Sequence, residues 1–341
     1  MKRESFWITG ERAATPVGSV SLGPMHVEHL RPDGEAPGAP VVLVHGGGGQ
    51  GTDYLVTPDG RPGWAPMMAD AGHPVYVVDR PGHGRSPYDP EVLGAPTNTW
   101  GAEVLRSIFL GDPDGPPLPP HTQWPGELDG SDDVFEQFIA SQGPLIADTA
   151  RMHELERERL VALLERVGPA VLVAHSAGGP GAFLAADTRP DLVLAFVAVE
   201  TIGPPFLGQP QTDMTLPWGL AAAPMNYDPP AADPSELGIR VSGEGPVPKA
   251  LQEEPARRLP GLSRVPVAIV TAQASLFGFF DGHLQEYLDQ VGCASDLIRL
   301  GDLGVLGNGH GMMLERNNAE VLGVIRGWLA EKLGDDGAGT R

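Results

Sequence analysis

The chain alternates two kinds of pattern. Val41–Val44, Val75–Val78, Val171–Val173, Val193–Val199 and Val265–Val270 are continuous apolar runs. Runs without polar alternation read as strands buried on both faces of a sheet. Between several of them the apolar residues recur every three or four positions. Residues 151–167 put Met152, Leu155, Leu160, Leu163, Leu164 and Val167 largely on one helical face and stop at Gly168-Pro169. Residues 317–332 do the same with Val321, Ile325, Trp328 and Leu329, ending before Gly334. Strands and helices in alternation predict the α/β class: a mostly parallel sheet of about eight strands with helices on both faces. Ahead of it, Ser5–Thr9 and Met25–Leu30 belong to two or three short antiparallel strands between Gly and Pro turns.

Two stretches break the alternation. Residues 87–150 and 203–263 are rich in Pro and Gly and scattered with Trp, Phe, Met and Tyr. Segments of that length do not run structureless through a compact domain. They predict insertions at the strand ends that form a cap. The expected organisation is one domain, with a core of about 5–86, 151–202 and 264–333 and a frayed tail at 334–341.

Composition changes this picture little. A hydrophobic content of 41% supplies a sizeable core, and a net charge of −21 disfavours nucleic acid or an anionic membrane as partner. Cys293 is the only cysteine, so neither an intrachain disulfide nor a cysteine-rich metal site can form. The opening Met1–Trp7 lacks the apolar core of a signal peptide, and the expectation is a cytoplasmic protein.

The chemistry concentrates at Val171-Leu172-Val173-Ala174-His175-Ser176-Ala177-Gly178-Gly179. A strand-like run ends in a serine between small residues, and the helix-compatible Gly181–Ala186 follows. This is the form of a nucleophile elbow, G-x-S-x-G, with Ala174 at the first position. The plainer reading is a serine capping a helix, but the small residues on both flanks favour a nucleophile. A serine nucleophile needs a base, a group to orient the base, and donors for an oxyanion. His45-Gly46-Gly47-Gly48-Gly49 follows the first central strand, and the N–H groups of Gly47 and Ala177 are the candidate oxyanion hole. Gly46, Gly48 and Gly51 also satisfy the dinucleotide pattern G-x-G-x-x-G, but Thr57–Gly63 follows where a helix should begin at once. No lysine follows Gly51 to make a phosphate loop.

Of ten histidines, only His283 and His310 follow the serine. His283 falls in a helix expected over 282–291. His310, in Gly307-Asn308-Gly309-His310-Gly311 before the final helix, is the candidate base. Glu200 ends the strand Val193–Val199 and is the candidate orienting acid, because a carboxylate there requires a partner; Asp281 is the fallback. Asp79–Ser86 reads as a structural turn, and His45 and His175 as loop braces. No histidine or carboxylate spacing suits a metal, and no cofactor is expected.

These residues, from about Val41 to Trp328, resemble the α/β-hydrolase superfamily. More narrowly they resemble bacterial esterases with a Ser–His–Glu triad whose glutamate follows the sixth strand. The matching stretches are Thr57–Arg61 with Gly63-Trp64, Thr122-Gln123 with Pro125, Val199-Glu200, and Leu303–Val305 with Gly307-Asn308, His310, Met312-Met313 and Arg316–Asn318. The resemblance implies Ser176, His310 and Glu200 in the triad roles. It departs where that esterase group has paired cysteines beside the oxyanion hole and this chain has Gly47-Gly48. Such relatives can be secreted, and the 203–263 segment here is longer.

The expected activity is hydrolysis of a carboxylic ester or lactone of small to medium size. Trp100, Phe109, Trp124, Phe206 and Trp218 are candidates to line an apolar site or to fill the cap's own core. A homodimer is compatible with the sequence. Acyl transfer, carbon–carbon bond hydrolysis or a non-catalytic binding module would use the same scaffold.

Overall fold

The computed structural model describes residues 1–34, 36–208, 214–243 and 247–334. The tail expected to fray lies outside these from residue 335 onward. Eight strands form the main sheet: β1 (Lys2–Ile8), β2 (Met25–Arg31), β3 (Val41–Val44), β4 (Val75–Asp79), β5 (Ala170–His175), β6 (Val193–Val199), β7 (Val267–Thr271) and β8 (Ser295–Arg299). Their order is β1-β2-β4-β3-β5-β6-β7-β8. β2 pairs antiparallel with β1 and β4, and every pair from β4 onward is parallel.

The continuous apolar runs are explained by burial on both sides. In β3, Val42 and Val44 face one apolar cluster, and Val41 and Leu43 the other. β5 and β6 alternate in the same way, Leu172 and Phe196 on the first side, Val173 and Val197 on the second. The long helices are α1 (Trp64–Asp70), α2 (Ala102–Phe109), α3 (Asp133–Ala140), α4 (Thr149–Val167), α5 (Gly179–Thr188), α6 (Asp281–Gln290) and α7 (Asn318–Leu333). α4 and α5 cover one face through Leu160, Leu163, Leu164, Phe183 and Leu184. α1 and α7 cover the other through Trp64, Met68, Val321, Ile325 and Leu329. Each such side chain contributes about 1.5–3 kcal/mol when taken from water.

The two edges differ from the sequence reading. β1 starts at Lys2, earlier than expected, with Lys2–Ser5 exposed as suits a charged sheet edge. A small hairpin, Arg12–Thr15 with Gly18–Ser21, sits between β1 and β2. β8 carries no apolar run because, as the other edge, it is only partly buried. Residues 87–150 hold α2 and α3. Within 203–263 lies a hairpin of Ile239–Ser242 and Lys249–Gln252.

Candidate active site

β5 ends at His175, and the chain turns through a 3-10 segment, Ser176–Gly178, into α5. The turn holds Ser176 at φ 50°, a left-handed conformation that a side chain makes costly by about 1–2 kcal/mol. Tight packing explains the small neighbours. A Cβ on Gly178 would come within 2.4 Å of the His45 carbonyl oxygen, and one on Gly179 within 2.4 Å of Thr201. Ala174 stands where the usual pattern has glycine. Its methyl group is fully buried in the apolar cluster with Val42 and Val44.

The glycine loop after β3 runs beside this turn. A Cβ on Gly46 would lie 3.2 Å from Ser176 Cβ; one on Gly47 would lie 3.1 Å from Ala177 Cβ and 2.8 Å from the Trp100 ring. The main chain of Gly47 can approach the elbow only because it carries no side chain. The carbonyl of Ser176, in the peptide that carries the Ala177 N–H, accepts from Ile202 N–H at 3.1 Å.

His310 meets Glu200 across 110 residues of sequence: Nδ1–H donates to Oε2 at 2.8 Å. Glu200 is fully buried at φ 41° and also accepts from Ala272 N–H and Ser275 O–H, each at 2.8 Å. Burial pushes Glu200 up to about 8 and His310 down to about 3, since either ion is poorly solvated there. The histidine therefore rests neutral, and its Nε2 has no hydrogen-bond partner. Its ring stacks on Phe277 with centroids 3.8 Å apart and is tilted against Phe109 at 5.1 Å. Asp281 is buried too, but its carboxylate pairs with the Thr271 hydroxyl.

His310 sits on a loop without regular structure, and buried side chains fix it. Glu315 accepts from Gly309 N–H at 2.8 Å, Asn308 Nδ2 at 2.6 Å and His121 Nε2 at 2.7 Å. Arg61 reaches the carbonyls of Leu314, Glu315 and Arg316, and Trp64 Nε1 donates to Asn318 O. Asn308 and Asn317 bond to each other through both side chains. The scattered stretches singled out in sequence thus converge on the support of one loop.

Of the five aromatic candidates, Trp100 and Phe109 lie at the site, the former on Gly47 and the latter on His310. Trp124 is fully buried against Phe135 and Phe138. Phe206 packs on Tyr287, and the Trp218 carbonyl accepts from Tyr227. Neither they nor Trp124 has a ring contact with His310 among the described residues. His283 is half-buried on α6. His45 and His175 brace, as expected: His45 Nδ1–H donates to Gly46 O at 2.8 Å, and His175 Nε2–H to His310 O at 3.0 Å. Four participants escaped the sequence reading: Ser275, Phe277, His121 and Glu315. Glu315 had a signal, since it sits between the quoted Met312-Met313 and Arg316–Asn318. Among the described residues no three His, Cys, Asp or Glu side chains are placed to hold a metal.

Residues 39–230 match the family described as alpha/beta hydrolase fold. A fungal protein, from Fungal sp. (strain ATCC 74256) and named "Probable secreted lipase phiG", is 34% identical over 315 residues, covering 90% of this chain and 86% of that protein. In three dimensions the chain is similar to a solved bacterial esterase, with a TM-score of 0.69 at 22% identity, over 97% of this chain and 96% of that one. At that identity the likeness is one of fold. Among the described residues no helix is long and apolar enough to cross a membrane.

Proposed function

The chain belongs to the α/β-hydrolase family, and from that premise we propose that it is a serine carboxylic ester hydrolase working through Ser176, His310 and Glu200. The observation that carries the reading is the buried 2.8 Å bond between His310 and Glu200, with the other imidazole nitrogen left unpaired. Support for an ester as substrate comes from the relative named as a lipase.

Ser176 Oγ attacks the ester carbonyl carbon while His310 Nε2 takes its proton. Glu200, accepting from Nδ1–H, offsets the charge of the imidazolium. The N–H groups of Gly47 and Ala177 hold the tetrahedral oxyanion; one such donor is worth about 10²–10³ in kcat. Collapse expels the alcohol, which receives the proton from Nε2 and leaves an acyl group on Ser176. Water, activated by the same nitrogen, then releases the acid. The Trp100 and Phe109 rings beside the reacting groups favour small to medium hydrophobic esters, lactones included. The protein acts in the cytoplasm, unlike the relative named as secreted; activity found in the culture medium overturns that part.

The test is labelling with a fluorophosphonate. The intact chain takes label on Ser176, Ser176→Ala takes none, and His310→Ala labels far more slowly. A folded wild-type protein that takes no label sinks the proposal.

A further inference from the structure

β4 ends at Asp79, and the next side chain, Arg80, turns into the protein rather than to solvent. It is 1% exposed and pairs with the equally buried Glu156 at 2.6 Å. Its other contacts converge on the oxyanion loop and the elbow. Nη2 donates to Gly46 O at 2.7 Å and to His83 Nε2 at 3.3 Å; Nη1 also donates to Ala177 O at 3.3 Å. The Arg80 backbone N–H donates to His45 Nε2 at 3.0 Å, and His45 Nδ1–H donates in turn to Gly46 O. Burial, reinforced by the Arg80 charge, holds His45 and His83 well below the ordinary histidine range. Each is neutral, and each can therefore accept at Nε2.

Gly46 O and the Gly47 N–H are two ends of one planar peptide, and they point in opposite directions. Whatever grips the carbonyl therefore aims the N–H. A cation on the carbonyl oxygen also draws charge through the amide and strengthens the donor, an effect of about 10–30% per bond in a hydrogen-bonded chain. A buried ion pair has little value for stability alone, because well-packed apolar residues of like volume serve as well or better.

We propose that Arg80 is a positioning residue of the oxyanion hole, fixing and polarising the Gly47 N–H through the Gly46 carbonyl while its second arm steadies the Ala177 turn. The inference rests on the serine-hydrolase reading above. Glu156 keeps the guanidinium in place, and a Cβ on Gly181 would come within 2.5 Å of Glu156 Oε2, so α5 also bears on this pair.

The test is a double variant, R80M/E156L, which removes the charge pair without leaving half of it buried. It should fold with a melting temperature near that of the parent. Its kcat on a reactive ester should fall by about 10–100-fold, less than loss of a whole oxyanion donor, with KM within about threefold. A second readout isolates the oxyanion. Discrimination between an oxygen ester and its thionoester, whose sulfur accepts hydrogen bonds poorly, should narrow in the variant. A purely structural role would move the melting temperature and leave that ratio alone. R80K keeps a charge beside Glu156 but lacks the fork needed for two carbonyls, and it should lose about tenfold in kcat by the same reasoning. If R80M/E156L does not fold, R80K alone decides. A folded variant with the parental kcat and thionoester ratio overturns the inference. Fluorophosphonate labelling of the wild-type protein is done first: no label means the hydrolase reading has failed, whereas label with parental variant kinetics means only the role of Arg80 has failed.

Discussion

The two halves of the site are held in different ways. Ser176 is positioned by main chain: a central strand enters, a helix leaves, and backbone or glycine contacts fill the space between. His310 is positioned by side chains reaching from far along the sequence, Glu200 from the end of β6, His121 from the segment between α2 and α3 and Glu315 from the approach to α7. The first arrangement depends on small side chains and, at the Gly46 and Ala177 carbonyls, on Arg80. The second hangs on a few buried polar groups, each leaving unpaired partners when lost. The contrast locates the vulnerability of the site on the His310 side.

The largest effect expected on that side is at Glu200. Glu200→Gln preserves shape but offers an amide to donors that suit a carboxylate, and it no longer balances the imidazolium. Steady-state kinetics should show kcat about 10³–10⁴-fold lower, with KM little changed. A loss below tenfold would mean that another carboxylate, Asp281 first, orients the histidine. Next comes Glu315, which touches no reacting group. Glu315→Gln should lower stability by about 2–3 kcal/mol, because three buried donors lose a charged acceptor, and kcat by about 10²-fold through misplacement of His310. Denaturant melts and kinetics read the two together. Intact kcat with lower stability would break the contrast, showing the loop to be held without Glu315.

The smallest effect is in pH. With Glu200 held protonated up to about 8 and His310 neutral down to about 3, the competent pair, neutral imidazole and carboxylate, forms as pH rises through about 8. kcat/KM should climb about tenfold between pH 7 and its plateau, governed by the pair as a unit. An acid limb near the ordinary histidine value of 6.5 would contradict this. Stability should run the other way. His45, His83, His153, His175 and His310 are all held low by burial. Unfolding below 6.5 lets them take up protons, so stability falls as pH drops. Asp53, at about 7, and Glu200 are held high by burial. The native state keeps protons there that the unfolded chain releases above about 4.5, so stability also falls as pH rises through 7 to 8. Thermal melts should peak between pH 4.5 and 6.5, below the pH of fastest turnover.

The same division governs what could be read from sequence. The elbow is local: a buried strand, a serine and small residues follow one another, and the turn they make is dictated within a few positions. Glu200 was legible because a carboxylate closing an apolar strand needs a partner. β8 was not, since an edge strand has no reason to be continuously apolar. His121 and Glu315 lie 194 residues apart, and no local periodicity pairs them. Arg80 sits in a glycine-rich turn that reads as structural, and only packing shows its side chain directed inward. Trp124, Phe206 and Trp218 illustrate the converse difficulty. A large aromatic residue in a long insertion serves core packing and ligand contact equally well until its neighbours are known.

Ser176 and Glu200 share the left-handed backbone noted above, and both stand where glycine would sit with less strain. Glycine at Ser176 would relax the turn while removing the hydroxyl on which the proposed chemistry depends. The two dihedral angles therefore mark places where glycine would ease the backbone. They also suggest a laboratory use: Ser176→Gly should give an inert, well-folded receptor in which an intact ester can be kept bound, where the working enzyme would destroy it.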